Sequence, residues 1–274
     1  MPHPPAKVRL DLLVAERGLA DSRQQAQALI LAGRILVAGQ KAAKPGHPTA
    51  PDAALERLGP AARFASRAGG KLEAALDHFQ VAVAGRIALD VGSSTGGFTD
   101  CLLARGALRV HAVDSGTNQM VWRLRTDSRV HVLENTNARH LRLEQLVGAG
   151  PSACATETLA PACAPQGERP DLLTMDVSFI SATLLLPQVG PLLAPAAEAI
   201  VLVKPQFEAG RAAVGSGGIV RDPATQRAAV ERVANCLRAL GAAVAPALPS
   251  PVLGATGNQE FLLYARWPGG TASC

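Results

Sequence analysis

Residues 87–100 read Ile87-Ala88-Leu89-Asp90-Val91-Gly92-Ser93-Ser94-Thr95-Gly96-Gly97-Phe98-Thr99-Asp100, and the reading of this stretch decides the fold. Ile87 to Val91 is short, apolar and β-prone, the pattern of a buried strand. Gly92, Gly96 and Gly97 then permit positive φ and close backbone approach to a ligand. Helical spacing resumes at Phe98, Leu102 and Leu103. A strand, a glycine-rich turn and a helix start aim free backbone N–H groups at a bound cofactor. The dinucleotide fingerprint Gly-x-Gly-x-x-Gly uses its middle glycine to admit a pyrophosphate. Aligned from Gly92 to Gly97, this chain puts Ser94 at that place. The expected cofactor is a nucleoside without a pyrophosphate, such as S-adenosylmethionine. The rival on the same fold, a NAD-dependent oxidoreductase, is disfavoured by Ser94.

Strands and helices alternate on either side of this turn. Arg109–Val113 reads as a second strand ending in Asp114, and Val130–Leu133 as a third, followed by Glu134-Asn135-Thr136-Asn137. Asp171–Asp176 is a fourth, and Ile200–Val203 a fifth that leads into Lys204. A helix is expected over Pro223–Leu240, then a short strand at Val244–Ala247 and a closing strand in Gly257–Tyr264. The pattern predicts an α/β fold with a mostly parallel sheet. Asp114 follows Gly92 at about the 20-residue distance of an acid that accepts hydrogen bonds from ribose hydroxyls, and it would serve equally as a helix cap. Asn135 and its polar neighbours would share the sheet edge where ligands of open α/β sheets bind. Residues 148–169, rich in Ala, Pro, Gly and Thr, read as a mobile insertion without chemistry of its own.

Lys71 precedes Leu72, Ala75, Leu76 and Phe79 at helical spacing, which puts a cation near a helix N-terminus, its unfavourable end. Asp176 and Lys204 end strands, and an antiparallel last strand brings the start of that strand, Glu260, to the same edge. Two lysines and two carboxylates in one cleft point to a proton acceptor made by a neighbouring ammonium and partial desolvation. Lys204 is the better candidate because it leaves a buried strand. A structural salt-bridge network fits the same spacing.

The chain of 274 residues is 48% hydrophobic and only 3% aromatic, as in an Ala/Val/Leu-rich α/β protein. Its five cysteines show no paired metal spacing, so a reduced, cytoplasmic protein without a metal is expected. The start reads as no signal peptide, and the most apolar stretch, Ala182–Val203, is interrupted by three prolines, which argues against a membrane span. The net charge is +5. Residues 1–70 hold ten Lys or Arg against five Asp or Glu, whereas the remainder is balanced. A basic module before a neutral body points to a polyanionic partner, nucleic acid above all. Helices are expected at Val8–Arg17 and from Ser22, whose Ser22-x-x-Gln25 is a capping box. Arg34–Val37 reads as a strand, Ala38–Lys41 as a turn and Pro45–Gly59 as a linker or irregular strand.

Arg9-Leu10-Asp11, Gly18-Leu19-Ala20-Asp21-Ser22-Arg23 and Ala32-Gly33-Arg34-Ile35-Leu36-Val37-Ala38-Gly39 resemble the S4-type RNA-binding module. The resemblance implies a small α+β domain over residues 7–66 that docks on structured RNA by shape and phosphate contacts. Arg9, Arg23, Arg34 and Lys41, with Arg67 beyond it, are the residues expected to touch RNA.

Ser66-Arg67, Lys71-Leu72, Leu89 through Leu103, Asp176-Val177-Ser178-Phe179-Ile180-Ser181, Val203 through Arg211, Gly217 through Asp222 and Gly257-Asn258-Gln259-Glu260 occur in this order. Together they resemble the TlyA (haemolysin A) family of rRNA 2′-O-ribose methyltransferases, whose catalytic domain is of FtsJ type. The resemblance implies a Rossmann-like class I methyltransferase domain over residues 67–270, using S-adenosylmethionine on ribosomal RNA or ribosomal subunits, with a cytidine as acceptor. It implies a catalytic tetrad at Lys71, Asp176, Lys204 and Glu260. It also implies cofactor contacts from Asp90, Gly92, Ser93, Ser94, Thr95, Gly96, Gly97, Phe98, Asp114, Asn135 and Asp176. The chain departs from the family at Ala68-Gly69-Gly70, at Ser115-Gly116-Thr117 and in residues 148–169. Two readings of other classes are a non-catalytic ribosome-assembly factor and a pore-forming haemolysin.

Overall fold

Five residues in a row, Ile87–Val91, are all buried, which requires a central strand with layers on both faces. The computed structural model that contains this strand describes residues 7–20, 23–42, 44–58, 63–147, 169–210, 213–254 and 256–269. Ser22 of the expected capping box and all of the expected insertion but Arg169 lie outside the described residues. The chain divides into a unit of residues 1–65 with Val121–Arg123 and a unit of residues 66–120 with 124–274.

Up to residue 65 the elements are β1 (Val8–Arg9), α1 (Leu10–Glu16), α2 (Arg23–Leu31), β2 (Ile35–Val37), β3 (Gln40–Lys41), β4 (Pro48–Thr49) and β5 (Leu55–Arg57). β1 pairs antiparallel with β4, and β3-β2-β5 form a second antiparallel sheet. Leu10, Val14, Ala20, Ala26, Ile30 and Ile35 make its core. Three expectations change here. The helix expected from Val8 begins at Leu10, because Val8 and Arg9 pair with Thr49 and Pro48. The segment read as a linker or irregular strand supplies two short strands, β4 and β5, whose partners lie far away in sequence. The expected turn is shorter, with Ala38 and Gly39 at positive φ and Gln40 and Lys41 already paired with β2.

From residue 66 onward come α3 (Ala68–His78), β6 (Ile87–Val91), α4 (Gly97–Ala104), β7 (Arg109–Val113), α5 (Trp122–Arg125), β8 (Val130–Leu133), α6 (Leu143–Val147) and β9 (Leu172–Met175). They are followed by α7 (Leu186–Val189), β10 (Glu198–Val203), α8 (Pro205–Glu208), α9 (Pro223–Ala239), β11 (Ala243–Val244), β12 (Leu248–Pro249) and β13 (Phe261–Arg266). The large sheet runs β11-β13-β10-β9-β6-β7-β8, with β12 also on β13. The pairs β10·β9, β9·β6, β6·β7 and β7·β8 are parallel. β13 is antiparallel to β10. The fold is therefore the expected α/β arrangement with a mostly parallel sheet. β12 had no counterpart in the sequence reading, and the closing strand starts later than expected, after Glu260.

Register then places the site. Val91 lies level with Val113 and with Met175, so Gly92, Asp114 and Asp176 leave the sheet side by side. Val203 faces Phe261, so Lys204 and Glu260 flank one cross-strand pair. β6 lies between β7 and β9, the point where the winding of the sheet reverses and a crevice opens. Gly92 has φ +84, and a Cβ on it would stand 2.5 Å from the Asp176 carbonyl oxygen. Gly92→Ala should destabilise the second unit by about 2 kcal/mol or more, through strain at positive φ and the carbonyl clash. Urea unfolding followed by circular dichroism measures it; an unchanged midpoint would show that the turn has slack.

Candidate active site

The turn after β6 is built from backbone bonds to neighbouring strands. The Gly92 N–H donates to the Val113 carbonyl at 2.8 Å, and the Gly96 N–H to the Ser93 carbonyl at 2.7 Å. Gly96 has φ +94 and stands where a Cβ would meet Leu124 at 2.4 Å. Gly97, expected to need positive φ, does not; it is there because a Cβ would reach Ser66 Oγ at 2.2 Å. Ser94, in place of a dinucleotide glycine, holds φ +46, and its N–H donates to Asp114 Oδ2 at 2.8 Å. Asp114 Oδ1 accepts the Gly116 N–H at 2.7 Å. A carboxylate has about four acceptor positions, so Asp114 keeps capacity for ligand hydroxyls. It caps no helix in the structure.

A cavity of about 550 Å³ opens beside this turn, lined by Gly92, Ser94, Asp114, Gln119, Asn137, Asp176 and Phe179 among others. Glu134 shapes its wall by accepting the Asn118 and Gln119 N–H groups at 2.8 and 3.3 Å and pairing with Arg125. A smaller recess adjoins it, lined by Ser66, Ser93, Thr95, Gly97, Phe98, Ser178 and Lys204. Gly92, Ser94 and Asp176 border both spaces. Gly96 supports the turn without lining either cavity. Two expected cofactor contacts are corrected. Asn135 points to solvent, its N–H on the Gly116 carbonyl, while its neighbours Thr136 and Asn137 line the cavity. Asp90 is fully buried beneath the turn, where Thr99 Oγ1 donates to Oδ2 at 2.7 Å and Thr174 Oγ1 to Oδ1 at 3.0 Å.

The four charged residues form two lysine–carboxylate pairs. Lys204 Nζ stands 2.6 Å from Asp176 Oδ1 and donates to Ser178 Oγ at 2.8 Å. Asp176 Oδ1 is buried and has no hydrogen bond aligned on it. Lys71 Nζ meets Glu260 Oε2 at 2.5 Å, both nearly inaccessible, at 6% and 3% exposure. The direct charge partner of each lysine is thus a carboxylate. Asp176 and Lys204 face the cavities, whereas Lys71 and Glu260 make a buried strut behind them.

Sequence reasoning missed Phe179 and Glu208. Phe179 is 92% exposed at φ +66, with its ring 5.2 Å from that of Phe207. Its signal was available: an aromatic between Ser178 and Ile180, just past a strand end, in a chain poor in aromatics. Glu208 is buried, accepts Ser181 Oγ and the Ala182 N–H at 2.5 and 2.7 Å, and so ties the loop carrying Phe179 to α8. Of the expected RNA contacts, Arg9 and Arg23 converge on Asp11 in the first unit, while Arg34 and Lys41 are exposed on the β2–β3 hairpin. Arg67 is exposed just before α3 in the second unit.

The sequence model of FtsJ-like methyltransferases matches residues 64–267. The chain belongs to this family. The S4 domain model matches residues 8–64. The chain is 41% identical over 261 residues to the 16S/23S rRNA (cytidine-2′-O)-methyltransferase TlyA of Mycobacterium tuberculosis, covering 95% of this chain and 90% of that one. It is 37% identical over 257 residues to Hemolysin A of Brachyspira hyodysenteriae, covering 94% and 99% of the two. A solved structure from Streptococcus thermophilus, described as a candidate hemolysin, superposes with a TM-score of 0.68 at 37% identity over 96% of this chain and 89% of that one. Among the described residues, no helix is long and apolar enough to cross a membrane.

Burial also gives this FtsJ-like chain a testable titration. Desolvation pushes the Asp90 carboxyl from 3.8 up to about 7, against the pull of its two threonine donors. The unfolded chain loses this proton near 3.8 and the folded chain near 7. Asp90 therefore contributes stability at low pH that is lost as pH rises between those values. Urea unfolding at stepped pH should show that slope, and Asp90→Asn should flatten it; an identical slope in the variant would reject the assignment.

Proposed function

We propose that the chain transfers a methyl group from S-adenosylmethionine to a ribose 2′-hydroxyl of ribosomal RNA, a cytidine being the acceptor named for the curated relative. The observation that carries the reading is the Asp176–Lys204 pair at the border of two adjoining cavities. Gly92, Ser94, Asp114 and Gln119 suit the larger cavity to a nucleoside cofactor, since Asp114 retains acceptor positions and the turn brings bare backbone close. The bound sulfonium supplies an activated methyl group. Lys204 Nζ, held between Asp176 and Ser178, takes the hydroxyl proton in its neutral amine form, or as an ammonium donates to the hydroxyl oxygen and orients it. Asp176 Oδ1, at 2.6 Å, holds that nitrogen at the border of the two cavities. Lys71 and Glu260 brace the acceptor side from behind. Holding both reactants in line supplies much of the rate, because the donor is already reactive. Phe179 presents an aromatic face at the cavity mouth, where an unstacked base can rest.

We assign RNA docking to residues 7–66 and chemistry to residues 67–270, with ribosomal RNA or ribosomal subunits as partner and the cytoplasm as the place of action. Mass-spectrometric mapping of ribose methylation in rRNA, with and without the protein, tests the reading. Lys204→Ala should abolish transfer of labelled methyl groups while cofactor affinity by calorimetry stays within about threefold, since the side chain borders the smaller recess. Phe179→Ala should lower kcat/KM for RNA by about tenfold or more, a loss of one stacking contact, with the cofactor KM unmoved. Retained transfer by Lys204→Ala sinks the catalytic assignment, and absence of transfer by the unaltered protein favours an assembly factor. The hemolysin name of one relative supports a second reading, which leakage from liposomes would decide.

A further inference from the structure

A fully buried carboxylate in the first unit holds two half-exposed arginines. Asp11 has no solvent exposure. Its Oδ1 accepts Arg9 Nε at 3.0 Å and the Leu12 N–H at 3.0 Å. Its Oδ2 accepts Arg9 Nη2 at 2.9 Å, Arg23 Nε at 3.0 Å and Gln27 Nε2 at 2.7 Å. Arg9 ends β1 and Arg23 opens α2, so two elements deliver one guanidinium each to one acid. The Arg9 and Arg23 side chains keep 48% and 52% of their surface in solvent.

This asymmetry is informative. Burying a charge to make a salt bridge is a poor route to stability. One carboxylate also neutralises only one of two permanent cations. The acid is hidden and the two cations face water, so at this point the pair presents guanidinium and no carboxylate to solvent. The guanidiniums are planar forks suited to phosphate oxygens, and they lie in the quarter of the chain that carries its net positive charge. The donors around Asp11, Arg9 foremost, hold its carboxyl well below the usual range, so the clamp stays charged at working pH.

We infer that Asp11 is the positioning residue of a phosphate-binding arginine pair, Arg9 with Arg23, that grips the RNA backbone. The inference rests on the RNA reading of the first unit given above. It has an unusual sign. Removing a negative charge from a basic surface should tighten a purely electrostatic hold on a polyanion. Removing this one should loosen it, because the arginines lose their aim.

The test is filter binding of the full chain to deproteinised 16S and 23S rRNA across a salt series. Asp11→Asn should weaken binding about tenfold and lower the slope of log K against log salt by about one to two, as two phosphate contacts are lost. The double variant Arg9→Lys/Arg23→Lys keeps every charge and should weaken binding similarly. Asp11→Asn placed in an Arg9→Ala/Arg23→Ala background should add nothing further. Circular dichroism melting reports whether Asp11→Asn folds; if it does not, the lysine double variant decides alone. Binding by Asp11→Asn or by the lysine variant as tight as by the unaltered chain, with an unchanged slope, overturns the role of Asp11 and leaves the RNA reading standing. No binding by the unaltered chain overturns both.

Discussion

Burying the carboxylate of Asp90 carries a desolvation cost, and the geometry of the catalytic unit follows from how that cost is offset. Thr99 reaches it from the first turn of α4 and Thr174 from β9. Three elements therefore meet at one side chain, in a strand already paired on both edges. The helix after the glycine-rich turn can begin in only one place. Gly97 must then pass Ser66, and Gly96 must pass Leu124, with no room for a Cβ on either. The turn is short because the carboxylate beneath it leaves no freedom above.

The same reasoning separates the two lysine–carboxylate pairs. Lys71–Glu260 is sealed, and it joins α3 to the start of β13 across most of the unit's length. Such a pair is weak ground for stability, since its desolvation competes with its attraction. Its value lies in fixing where the antiparallel strand β13 begins. Lys204–Asp176 is more open, shares its ammonium with Ser178 and reaches the cavities. One pair is sealed and the other borders the cavities. Glu208 adds a third buried acid, pinning the loop that holds Ser178 and Phe179 near the strand ends. Asp11 repeats the device in the first unit, with a hidden acid setting the direction of exposed groups.

Much was legible along the chain because its physics is local. The five-residue apolar run before Gly92, the serine at the middle-glycine position and the basic bias of the first quarter each depend on neighbours a few residues away. The helix start at Pro223 is local as well. The families at both ends were legible for the same reason, since their signatures are ordered local runs. β4 and β5 were hidden in a Pro/Ala-rich segment, because a strand of two or three residues exists only through its partner. Asn135 and Asn137 could not be told apart, since alternation near a turn is set by one positive φ, that of Asn135.

The sequence by itself determined the α/β class, the cofactor turn, the basic module and the identity of the charged residues at the element ends. Only the tertiary structure decided their partners. Lys71 and Glu260 are 189 positions apart, and their pairing depends on the register of β13 against β10. The parallel register of β10 against β9 sets Lys204 beside Asp176 at the cavities. Asp90 lies in the core and Phe179 at the pocket for one reason. Which face of a strand end meets solvent is fixed by the layers packed against it, and those layers come from distant parts of the chain.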